Sequence, residues 1–120
     1  MMMLRSIALG LLLAILSLAA DYNVSGTWQF EVQTQMGSGT PTFVLKQEGS
    51  KVAGTYSGQL GEAKVTGKVE GNRIELEYSI APAGESILVK YTGTIESATS
   101  MKGKSAYGDL GEGTWTAKKQ

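Results

Sequence analysis

Cysteine and histidine are both absent from this chain. The first absence excludes a disulfide framework and any thiol nucleophile. The second removes the imidazole general base, and together they remove the commonest metal ligands. No cofactor and no metal site is expected. Excess charge of either sign is missing too, since eleven Lys and Arg balance eleven Asp and Glu. The basic residues are dispersed, and no aromatic side chains are interleaved with them as in a nucleic-acid groove, so nucleic acid is not an expected partner. At 120 residues the chain has room for one domain with one core.

Long apolar runs are confined to the start of the chain. Arg5 precedes an apolar run from Ile7 to Leu16, and Ser17-Leu18-Ala19 then fits the small-x-small cleavage rule. The run falls short of the roughly 20 apolar residues that span a bilayer, which favours a removed signal peptide over an anchor. Residues 1–19 are therefore expected to form the signal peptide and residues 20–120 a single domain. The mature protein is expected to be periplasmic or secreted, with no membrane anchor after cleavage. A disulfide-free chain in such a compartment rests on its packed core.

Beyond residue 20, sustained helical periodicity is lacking, while apolar and polar residues alternate throughout. Trp28, Phe30 and Val32 alternate with Gln29, Glu31 and Gln33; Ile74, Leu76, Tyr78 and Ile80 alternate with Arg73, Glu75, Glu77 and Ser79. The pattern predicts eight strands, near 26–34, 42–48, 51–58, 63–70, 73–80, 87–96, 100–107 and 113–119. Hairpin register tests the count. A two-residue turn at Gly49-Ser50 pairs Leu45 with Gly54 and Phe43 with Tyr56. A similar turn at Gly71-Asn72 pairs Val69 with Ile74, Gly67 with Leu76 and Val65 with Tyr78, and sets Lys68 opposite Glu75. A turn over 97–99 aligns Ile95 with Met101.

The echo Val52-Ala53-Gly54, Val65-Thr66-Gly67, Tyr91-Thr92-Gly93 and Met101-Lys102-Gly103 places glycines on the inner face, with Gly54 expected opposite Gly67 and Gly93 opposite Gly103. Interior glycines permit the bends that closure requires. Closure also removes exposed strand edges, so an antiparallel up-and-down barrel, all-β and eight-stranded, is preferred to a sandwich. Tight turns at 49–50, 71–72 and 97–99 share one end with the termini. Longer connections at 33–42, 59–62, 81–86 and 108–112 share the other, which should be the mouth.

Gly26-Thr27-Trp28, at the start of the first strand, resembles the Gly-x-Trp signature of the lipocalins. Together with Gly54-Thr55-Tyr56 it is also similar to the avidin pattern, so the chain resembles the calycin grouping of small barrels. The resemblance implies that Trp28 packs at the closed end and that the loop over 33–42 acts as a lid. Gly-x-Trp recurs as Gly113-Thr114-Trp115, and two features depart from the resemblance: no Arg on the last strand covers the Trp, Lys118 being at best a substitute, and the chain is shorter than typical lipocalins. The avidin ligand residues have no matching positions, so biotin binding is not implied. The chain is similar as well to uncharacterised barrel modules of exported bacterial proteins, a likeness that implies no activity.

Val32, Phe43, Tyr56, Tyr78, Val89 and Tyr107 fall on the inner face towards the expected mouth, and they are the candidate ligand-binding residues. Trp28, Leu45, Val69, Ile74, Ile95 and Met101 should seal the opposite end. Glu75 and Glu77 project outward beside Lys68, which reads as a solvated face, and no Ser, Thr or Tyr has an evident base to activate it. No catalytic residue is expected. The inner aromatics could instead simply fill the barrel. The sequence thus points to a non-enzymatic barrel that binds a small, mainly apolar ligand. The alternative is an accessory or protein-interaction module with a filled interior, although Val44, Ala53 and Leu88 are the only apolar exceptions noted on the outer face.

Overall fold

In an extended chain successive side chains point to opposite faces, so the alternation above yields strands with one dry and one wet side. The computed structural model describes residues 22–120; the expected signal peptide and its cleavage site lie outside the described residues. The strands are β1 (Gly26–Thr34), β2 (Gly37–Gly39), β3 (Thr42–Glu48), β4 (Lys51–Gly58), β5 (Gly61–Glu70), β6 (Arg73–Ile80), β7 (Ile87–Ser97), β8 (Ser100–Tyr107) and β9 (Glu112–Lys119). A short 3-10 helix, Gly108–Leu110, precedes β9. Every pairing is antiparallel, and β9 returns along β1 from Trp28↔Lys119 to Thr34↔Gly113, closing the sheet. Since β2 and β3 lie end to end on one edge of β1, the result is an eight-stranded up-and-down barrel.

The expected long loop over 33–42 is replaced by a hairpin. Thr34 pairs with Gly37 around a two-residue turn at Gln35-Met36, and the β1–β2 pairs continue the register of the β1–β3 pairs. Pro41 interrupts the strand because its nitrogen has no hydrogen to donate, although its carbonyl still accepts from the Phe30 N–H at 2.9 Å. The segment that the lipocalin resemblance marks as a lid loop is therefore a paired hairpin, and it borders the mouth. The connection over 59–62 likewise shortens to Gln59-Leu60, with Gly58 opposite Gly61. That moves the β4–β5 register by two residues, so Gly54 faces Val65 and Gly67 faces Val52, and the expected Gly54–Gly67 pair does not form. A slip of two leaves every side chain on its own face, which is why the apolar pattern did not detect it.

The other pairings follow expectation. Leu45 meets Gly54, Phe43 meets Tyr56, Val69 meets Ile74, Gly67 meets Leu76, Lys68 meets Glu75 and Gly93 meets Gly103. The β5–β6 ladder ends at Thr66↔Glu77, one pair short of Val65 and Tyr78. Beyond Ile95↔Met101 a bulge brings Ser97 opposite Ser100.

The closed end is sealed by Trp28, Leu45, Val69, Ile74, Ile95 and Met101, all buried. The segment before β1 caps them, with Val24 buried and its carbonyl accepting from the Trp28 indole N–H at 2.9 Å. Gln47, a buried polar side chain, holds that segment in place. Its Oε1 accepts from the Val24 N–H at 2.9 Å, and its Nε2 donates to the Tyr22 and Gly49 carbonyls at 3.0 and 2.9 Å. Both its N–H donors and one of its two oxygen lone pairs are used, which offsets much of the cost of burying an amide.

Among the described residues no helix is long and apolar enough to cross a membrane. The outer face carries Lys46, Lys64, Lys68, Glu75, Glu77 and Lys90, whereas a membrane-spanning barrel turns an apolar band outward.

Candidate functional site

Tyr56 on β4, Tyr78 on β6, Tyr91 on β7 and Tyr107 on β8 share inner-face parity with the apolar core. Their rings form a layer above Phe30, Phe43 and Trp115. Phe30 stacks on Trp115 at 4.9 Å and tilts against Phe43 at 4.2 Å between ring centres. Tyr56 stacks on Tyr78 at 4.3 Å, and Phe43 meets Tyr56 edge-on at 5.4 Å. Such aromatic pairs each add about 0.5–1.5 kcal/mol beyond burial, so this layer is a firm floor. Trp115 belongs to that packing, its indole N–H donating to the Lys104 carbonyl at 2.9 Å.

Above the floor lies a cavity of about 310 Å³. Val32, Ile80 and the four tyrosines form its inner wall, and Met36, Leu60, Pro82 and Leu110 form its rim. Thr34, Gln35, Ser38, Thr40 and Gln59 supply polar groups, and Glu112 is the one fully charged side chain in the lining. A wider concavity of about 520 Å³ crosses the outer face over Gly93 and Gly103. It is an open groove across β7, β8 and β9. The mouth cavity is the more enclosed of the two.

Of the six residues read from the sequence, Val32, Tyr56, Tyr78 and Tyr107 line this cavity. Phe43 and Val89 do not; both are fully buried, Phe43 beneath the tyrosine rings and Val89 between its cross-strand partners Tyr78 and Tyr107. Tyr91 is a wall residue that the sequence reading passed over. Its backbone sits one inner-face position deeper than Val89, but its hydroxyl reaches that of Tyr78 at 3.2 Å. Parity places Tyr91 inside; only the reach of its ring brings it to the cavity. Ile80 has the same parity signal at the mouth end of β6.

The wall is polar in a restrained way. Burial pushes the Tyr78 and Tyr91 phenols far above their ordinary range and raises Tyr56 as well, because a phenolate there would lose its hydration. At neutral pH these groups keep their protons and act as hydrogen-bond donors and acceptors, not as bases or nucleophiles. The Ser105 hydroxyl, opposite Tyr91 on β8, is buried without a hydrogen-bond partner. Glu75 and Glu77 face outward, where they lie 3.6 Å from Lys68 and Lys90 respectively, exposed and remote from the mouth.

No family model matches the chain, and no curated protein sequence matches it. Solved structures similar to it include a redesigned β barrel with a TM-score of 0.68 at 15% identity, covering 81% of this chain and 91% of that one. Another is the redesigned β barrel mFAP1, bound to DFHBI, with a TM-score of 0.59 at 15% identity, covering 81% of this chain and 94% of that one. At this identity the likeness concerns fold alone, and in fold the chain is a small closed antiparallel barrel.

Proposed function

We propose that this protein is an exported, non-enzymatic barrel that holds one small, mainly apolar molecule in its mouth cavity. The cavity carries the reading: about 310 Å³ of concave space, at the low end of ligand sites, above a floor too well packed to collapse into it. The protonated tyrosines and Thr, Ser and Gln side chains around it suit orientation of a ligand better than chemistry on one. The bound DFHBI in mFAP1 supports the capacity of a barrel of similar fold to take a small molecule.

The test is a titration of the mature protein with naphthylmethanol, a neutral aromatic probe. Saturable one-to-one binding is expected, and Val32→Phe, which fills the wall, should abolish it while leaving the fold intact. A wild-type protein that never saturates leaves the filled interaction module as the better reading. That alternative has its own support in the rim, where Met36, Leu60 and Leu110 are 80%, 43% and 56% exposed. If the rim docks a protein, Met36→Ser with Leu110→Ser should weaken association while probe binding persists. Export is checked separately: protein recovered from the periplasm or medium should begin at Ala20 or Asp21, and soluble cytosolic protein retaining Met1 would refute it.

A further inference from the structure

We propose that the mouth selects a lipophilic organic cation, a protonated amine whose apolar body enters the cavity while its charge stays at the rim beside Glu112. The inference rests on the reading of the mouth as a binding site and adds the charge of what it takes. The connections around the mouth and the residues adjoining them carry Glu62, Glu85, Asp109 and Glu112, all exposed, and no Lys or Arg. The closed end differs. There Glu48 is paired with Lys51 and Glu70 with Arg73 across their hairpins, and Lys118 and Lys119 lie nearby.

The ion pairs among the described residues extend the contrast. They join Lys46, Lys68, Lys90 and Lys102 to Glu48, Glu70, Glu75, Glu77 and Glu96, and none engages the four mouth carboxylates. The mouth therefore carries an excess of negative charge, four carboxylates outside these ion pairs on three of its four connections, of which Glu112 lines the cavity. Low-dielectric walls concentrate such a field over a cleft. An anion entering would meet repulsion at the rim and no cation within. A cationic head buried among the tyrosines would lose its hydration without a counter-charge, whereas at the rim it keeps both water and Glu112. The apolar body follows from the wall. An apolar cavity of about 150 Å³ holds one benzene ring, so roughly twice that volume suits a two-ring body.

Three probes of similar shape separate the possibilities: naphthylmethylamine, naphthylmethanol and naphthoate, titrated into the mature protein at neutral pH. The amine should bind about threefold to tenfold more tightly than the alcohol, the carboxylate more weakly than either, and the amine's advantage should shrink as salt is added. In the double variant Asp109→Asn with Glu112→Gln, the amine should lose its advantage, the ratio of amine to alcohol affinity falling to about one. Equal or reversed order among the probes, or an amine advantage that survives the double variant, overturns the charge selectivity and leaves the cavity reading standing. Failure of all three to saturate overturns both.

Discussion

The Tyr78 hydroxyl donates a hydrogen bond to the Tyr91 hydroxyl across 3.2 Å inside the barrel. Burial is the main reason both phenols resist ionisation, and their ordinary pKa of 10.0 is the value they regain on unfolding. Below that pH folded and unfolded chains hold the same phenolic protons, so these groups give stability no pH dependence. Above it the unfolded phenols ionise and the folded ones do not, so unfolding releases protons and stability falls as pH rises. The expected slope is about 1.4 kcal/mol per pH unit for each such tyrosine. Denaturant unfolding from neutral to strongly alkaline pH measures it, and Tyr78→Phe and Tyr91→Phe should each flatten the curve. An unchanged slope in both variants would show that other groups control alkaline unfolding.

Gln47 ties the segment before β1 to the closed end through three hydrogen bonds. Gln47→Ala strands the Val24 N–H and two carbonyls and opens a void beside Val52, its cross-strand partner. A loss of about 2–3 kcal/mol is expected, given the cost of leaving buried groups unsatisfied. Hydrogen exchange at the Val24 amide should quicken more than at the centre of β6. A loss below about half a kcal/mol would mean that the segment is held by Val24 burial alone.

At Gly103 a methyl group would overlap the Thr92 carbonyl and lie 2.6 Å from the Gly93 Cα, and at Gly93 it would come within 2.6 Å of the Trp115 ring. The two strands approach so closely because neither glycine has a side chain. Gly103→Ala should therefore destabilise by about 1–3 kcal/mol or more, as overpacking does. Gly39→Ala is the control. Its nearest neighbour would be the Gln59 Oε1 at 3.9 Å, so a change within about 0.5 kcal/mol is expected. Thermal unfolding of the two variants side by side decides the point.

Glu75 and Glu77 form the most conspicuous carboxylate pair in the sequence, yet both engage lysines on the solvated face. Glu75→Gln and Glu77→Gln should each shift stability by less than about 1 kcal/mol, the usual limit for exposed pairs. Neither should alter probe binding. A large loss of binding in either variant would relocate the site to the outer face.

Much of the barrel was legible before any coordinates because one face of each strand must be dry. Strict alternation assigns Trp28, Phe30 and Val32 inward, and the two-residue turns at Gly49-Ser50 and Gly71-Asn72 then leave one register that matches apolar faces. The same logic could not settle the β4–β5 pairing, since Gly54 opposite Gly67 and Gly54 opposite Val65 satisfy parity equally. Nor could it show that Gly37-Ser38-Gly39 extends β1 into a long hairpin, because glycine weakens strands and that segment has few apolar residues to declare a face.

The mouth divides along the same line. Sequence by itself determined an all-β chain with an apolar inside and a polar outside, Tyr56, Tyr78 and Tyr107 facing inward, and acidic residues without bases along the mouth connections. Only the tertiary structure decided that Phe43 and Val89 are covered and that Tyr91 reaches up to Tyr78. It alone showed a cavity of about 310 Å³ above the rings. Parity tells which way a side chain leaves the backbone, whereas depth, ring tilt and void volume depend on how eight strands close and stagger around one another.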